Sequence, residues 1–112
     1  MLQIEMVRDG HKNVAYVVSG EQEVSGQLYR VTRTDLLNPR PLALRLDAVE
    51  FAVEGGVKCF LRWLGTNHIL PLEGRGKLDL EWFGGLAGEE IDLEVEGVGA
   101  LFIVLDISKI GV

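Results

Sequence analysis

The chain has 112 residues, 47% of them apolar and 25% charged, with a formal net charge of −6. That size and composition describe one globular domain, residues 1–112, and exclude a largely disordered chain. The acidic balance argues against nucleic acid as a partner, which calls for a basic face. No run approaches the roughly 18 apolar residues of a membrane span, so no membrane partner is expected.

Fourteen glycines against three prolines suit many short strands separated by glycine turns. Leu2, Ile4 and Met6 alternate with Gln3 and Glu5 in a first strand. It is expected to pair within its own sheet rather than to extend a neighbouring subunit. Residues 1–7 lack the continuous apolar core of a secretory leader, so a chain made in a reducing cytoplasm is expected. Asp9 to Asn13 is a turn, Val14 to Ser19 a second strand, and Gly20 to Gly26 a polar loop. Gln27 to Arg33 is a third strand. Asp35 to Pro41 is a connection whose prolines oppose a central strand.

The stretch Leu42 to Trp63 organises the rest. Leu44, Leu46 and Ala48 share one parity, while Val49, Phe51 and Val53 share the other. Side chains on a strand alternate between faces, so this change of parity predicts a bulge or a corner near Asp47–Val49. Val57, Cys59, Leu61 and Trp63 form the next alternating run, and the intervening Glu54-Gly55-Gly56 reads as a hairpin turn. His68 to Leu72 is a short strand, and Pro71 assigns it to a sheet edge. Gly74-Arg75-Gly76-Lys77 reads as a turn carrying basic residues, since it lacks the spacing of a phosphate-binding loop. Lys77 to Leu80 is a short extended piece, and Trp82 to Gly88 a glycine-rich aromatic loop. Ile91, Leu93 and Val95 alternate with acidic residues in the clearest strand. Ala100 to Ile107 is apolar on both parities, which predicts a central strand covered from both sides. About eight or nine strands without a helix give an all-β, antiparallel β-sandwich of jelly-roll or immunoglobulin-like kind.

No catalytic set emerges. The single Cys59 takes an inward position and reads as a buried thiol. His11 and His68 do not make a metal-ligand spacing, and Ser19, Ser25 and Ser108 lie in no nucleophile elbow. Glu89, Glu90 and Asp92 are a weak calcium candidate, more simply read as a solvated turn. No cofactor is expected. Trp82 and Phe83 read either as a plug tucked under the sandwich or as an aromatic anchor for a partner protein or a sugar. A sugar-binding module using Trp82, Trp63 or Tyr29 as a stacking platform is the alternative from another class. The arginines Arg30, Arg33, Arg40, Arg45, Arg62 and Arg75 lie mid-chain and the acids Glu89 to Glu96 lie late. The two groups read as solvated strand faces or as complementary ends of a polar molecule.

The segment Leu44 to Leu64, followed by Leu70 to Leu86 with its Trp82-Phe83-Gly84-Gly85, is similar to small virion proteins of tailed bacteriophages. Ile91 to Glu96 and Ala100 to Lys109 continue the likeness, which spans residues 13–109. The final residues 110–112 and the scarcity of threonine depart from that group. The resemblance implies a non-enzymatic capsid decoration or cement protein on the virion surface, assembled in the host cytoplasm. It implies binding to the major capsid protein and self-association as a dimer or trimer, with a head–tail or tail component as the alternative. The candidate contact residues are Arg40, Arg75, Lys77, Trp82 and Phe83.

Overall fold

Alternation of apolar and polar residues is carried into ten antiparallel strands, counting one of three residues. The computed structural model describes residues 2–23, 26–32, 41–63, 69–80, 86–88 and 90–111. In chain order the strands are β1 (Leu2–Asp9), β2 (Asn13–Gln22), β3 (Gln27–Thr32), β4 (Ala43–Val53), β5 (Val57–Trp63), β6 (Ile69–Leu72), β7 (Arg75–Asp79), β8 (Leu86–Gly88), β9 (Glu90–Gly97) and β10 (Gly99–Ile110). They form two sheets. The larger runs β1-β2-β10-β4-β7, with β8 also paired to β4, and the smaller runs β3-β9-β5-β6. The expected antiparallel β-sandwich is present, and β1 pairs within its own sheet, as the sequence predicts.

One contiguous core fills the space between the sheets. The larger sheet contributes Val14, Val18, Leu44, Leu46, Val49, Phe51, Ile103, Leu105 and Ile107; the smaller contributes Cys59, Leu61, Leu72, Ile91, Leu93 and Val95. Both parities of β4 enter this core because of a bulge. Ile107 lies opposite Leu46 and Asp106 opposite Ala48, so Asp47 is the inserted residue, in the place the sequence pattern indicates. The bulge is tied down by its own side chain. Arg45 Nε donates to Asp47 Oδ1 at 2.7 Å, Ser108 Oγ donates to Asp47 Oδ2, and the Leu80 N–H donates to the Asp47 carbonyl at 2.8 Å. The bulge also divides the free side of β4: Ala48 to Ala52 pair with β7, and Leu44 to Leu46 pair with β8.

The turn Glu54-Gly55-Gly56 is not a hairpin. β4 lies in the larger sheet and β5 in the smaller, so the turn is an arch between layers. The Val57 N–H closes it onto the Glu54 carbonyl at 3.0 Å, and neither glycine takes the positive φ of a primed hairpin turn. Unprimed turns splay the strands they join, which lets these two part into different sheets. A second arch, Gly97-Val98-Gly99, joins β9 to β10 beside the first. Glu54 accepts from the Ala100 N–H at 2.8 Å through its carboxylate and donates its own N–H to the Ala100 carbonyl at 3.0 Å. Gln22, expected in a polar loop, is instead buried at the end of β2, where its Nε2 donates to the carbonyls of Val95 and Gly97, each at 2.9 Å.

Removing the Asp47 carboxylate strips partners from Arg45 and Ser108 in a part-buried setting. Asp47→Ala is expected to lower unfolding free energy by about 1–3 kcal/mol in urea titrations. At Gly97, φ is +84° and an added Cβ sits 2.0 Å from the Gly56 carbonyl oxygen. Backbone on both sides must move, so Gly97→Ala is expected to cost more than about 2 kcal/mol in the same assay.

Candidate functional site

The outer face of the larger sheet gathers two of the residues proposed from sequence. Arg75 and Lys77 stand two apart on β7, a regular strand rather than the basic turn expected, so they share one face. Register carries that face across the sheet in rows. Arg75 is followed by Ala52, Phe102, Ser19 and Gln3; Lys77 by Glu50, Val104, Val17 and Glu5; Asp79 by Ala48, Asp106, Ala15 and Arg8. Ala52 of β4 leaves the neighbouring Phe102 exposed, whereas Val104, between Glu50 and Val17, is half-buried. A shallow groove between Phe102 and Arg75 is floored by Ala52 and Ala100.

The expectation that β10 is covered from both sides is therefore corrected. β10 is central within its sheet, between β2 and β4, but Phe102 is 48% exposed and its outer face carries no second layer among the described residues. A run apolar on both parities states that both faces avoid polar side chains, and it does not state what lies over the second face. Phe102 and Val104 are the site residues that sequence reasoning missed. The available signal was their shared parity opposite the buried Leu101, Ile103 and Leu105.

On this face Arg8 lies 3.6 Å from Asp106. On the smaller sheet the mid-chain arginines meet the late acids directly. Arg30 makes a two-pronged contact with Asp92, 2.7 Å to Oδ1 and 3.0 Å to Oδ2, and lies 3.3 Å from Glu90. Arg62 reaches Glu94 at 3.1 Å. The hydrogen bond to Asp92, then the charges of Asp92 and Glu90, hold the Arg30 guanidinium more firmly protonated. Two of the mid-chain arginines, Arg30 and Arg62, thus meet three of the late acids across strands. Arg75 and Lys77, by contrast, form no ion pair among the described residues.

Arg40, Trp82 and Phe83 lie outside the described residues, as do His68 and Glu89. His11 is exposed in the β1–β2 turn, and Glu90 and Asp92 are engaged by Arg30. Cys59 is fully buried in β5, as expected, and burial pushes its thiol up to about 11. No group of three or more metal-ligating side chains occurs among the described residues.

No protein-family model and no curated protein matches the chain. Among solved structures it is similar to a crystal structure of a cupin superfamily protein from Desulfitobacterium hafniense, at 11% identity and a TM-score of 0.45, over 98% of this chain and 78% of that one. The class of the protein rests on its own two sheets: an antiparallel β-sandwich whose larger sheet exposes Phe102 on a largely polar outer face.

The Cys59 thiol sets a pH dependence. Below the ordinary thiol value of 9.0 the folded and unfolded states both keep the proton, and burial of the neutral thiol contributes in full. Between 9.0 and about 11 the unfolded chain releases the proton first, so stability falls as pH rises. Urea midpoints measured through this window are expected to fall less steeply for Cys59→Ala than for the unaltered chain.

Proposed function

We propose that this chain is a non-enzymatic structural protein that binds protein subunits through the outer face of its larger sheet. We propose further that the bound surface is the head of a tailed bacteriophage, where the chain acts as a capsid decoration or cement protein. The observation that carries the first step is exposed Phe102, with half-buried Val104 two residues on, sharing a face with Arg75 beyond Ala52 and Lys77 beyond Glu50. Partly exposed aromatic and aliphatic side chains beside arginine have the composition of interface anchors, with the apolar centre desolvated and the cations at its rim. The second step is supported by the likeness of residues 13–109 to small virion proteins. An acidic sandwich suits an outer surface, away from packaged DNA. Many copies on a repeating lattice need only modest contacts each, and binding across neighbouring subunits stabilises the expanded shell by mass action.

The test is co-sedimentation of the purified chain with capsids that lack it. Binding at hundreds of copies per particle supports the reading. A dozen copies or fewer move the assignment to a head–tail or tail component, and no binding overturns it. The Arg75→Glu, Lys77→Glu double variant and Phe102→Ser are expected to reduce binding at least about tenfold. Because these side chains are surface groups, the melting temperatures of both variants are expected to stay close to that of the unaltered chain.

A further inference from the structure

A different part of the larger sheet is unfinished. β1 ends the sheet, and among the described residues no strand lies on its other side. It is also the longest of the edge strands. β6 has four residues and carries Pro71, β7 has five with charges at 75, 77 and 79, and β3 has six. An edge of eight residues displays unpaired backbone donors and acceptors, and proteins ordinarily blunt such an edge.

The side chains of β1 are exposed on the face where their neighbours are buried. Ile4 lies opposite Val18 and Met6 opposite Tyr16. Val18 and Tyr16 are 0% and 9% exposed, whereas Ile4 and Met6 are 39% and 43% exposed. Ile4 and Met6 point the way the core lies, yet both stay exposed, and among the described residues no strand of the smaller sheet pairs beside β1. The strand is nonetheless held firmly. At its far end Lys109, whose side chain is fully buried, donates to Asp9 at 2.6 Å, and Arg8 lies 3.6 Å from Asp106.

We propose that β1 pairs antiparallel with β1 of a second copy of this chain, across a two-fold axis through Ile4, joining the two larger sheets into one. The sequence of residues 2–6, Leu-Gln-Ile-Glu-Met, is self-complementary about that point. Ile4 meets Ile4, Leu2 meets Met6, and Gln3 meets Glu5. The apolar residues fall on the core-side face, and each carboxylate sits opposite an amide. The two-fold registers further along the strand are worse. An axis through Glu5 sets two carboxylates against each other, which is unfavourable for directly opposed pairs. An axis through Met6 runs the pairing into the bulge at Val7, where the register of β1 shifts. That bulge ends the flat segment after Met6 and leaves five regular residues for the contact. The interface is separate from the face bearing Phe102 and does not depend on what that face binds.

The test is the mass of the full chain by sedimentation equilibrium over a concentration series, with two kinds of variant. The unaltered chain is expected to reach twice the 12.4 kDa chain mass. Ile4→Lys opposes like charges on the axis and is expected to raise the dimer dissociation constant at least about tenfold, with the β-sheet circular dichroism retained. Independently, Ile4→Cys is expected to form an interchain disulfide on oxidation, because directly opposed residues bring their Cβ atoms within about 4.5–5.5 Å. Arg8→Cys, which lies past the bulge at Val7 and outside the paired segment, is expected to remain uncrosslinked. Buried Cys59 leaves the background clean. A monomeric mass at every concentration, a dimer that Ile4→Lys leaves intact, or equal crosslinking at positions 4 and 8 overturns the proposal.

Discussion

Asp47 is the residue on which the architecture turns. β4 must bury Leu44 and Leu46 below it and Val49, Phe51 and Val53 above it, although the two groups differ in parity. In a regular strand one group would face water, since a one-residue slip sends every later side chain to the other face. Inserting Asp47 resolves the conflict, and its carboxylate binds Arg45 and Ser108 on the outer side while its carbonyl holds Leu80. The same insertion decides where β7 stops and β8 begins along β4. The rows that bring Arg75 and Lys77 beside Phe102 and Val104 are therefore set by one bulge.

The end of the sandwich is closed by a second constraint. Two arches cross there, and Glu54 and Gln22 satisfy backbone groups that strand pairing leaves free. Buried backbone donors and acceptors must find partners, and these two side chains supply some of them where the chain passes between layers. Gly97 is required because the arches approach so closely that a Cβ has no room. Polar residues in this small protein thus serve the crossings between sheets, and apolar residues fill the space the crossings define.

The surface divides along the same lines. On the smaller sheet, arginines and carboxylates on adjacent strands pair with one another and leave little field to attract a partner. On the larger sheet, Arg75 and Lys77 share a face with exposed Phe102, and among the described residues β1 has an open edge beside Ile4 and Met6. A protein that works by assembly needs both properties: faces that are indifferent and faces that are incomplete. The two incomplete regions are distinct in place and chemistry, one a side-chain surface and the other a backbone edge.

Alternation and glycine spacing were sufficient to locate most strands, the bulge near Asp47, the edge position of Pro71 and the buried thiol of Cys59. These are local properties, set by whether neighbouring side chains suit opposite faces of a strand. What the sequence left open was which strands share a sheet. Gly55-Gly56 looks the same in a hairpin and in an arch until φ is known, and the partners of β5 turn out to be β6 and β9 rather than β4. Basic Gly74-Arg75-Gly76-Lys77 read as a turn, because nothing within it shows that β4 offers an edge for it to pair with. Phe102 read as covered, because hydrophobicity alone cannot report whether a second layer exists. Composition and alternation by themselves determined an all-β sandwich without a helix. Only the tertiary structure decided which apolar residues the second sheet reaches, because sheet membership and layer width arise from pairings between residues far apart in the chain.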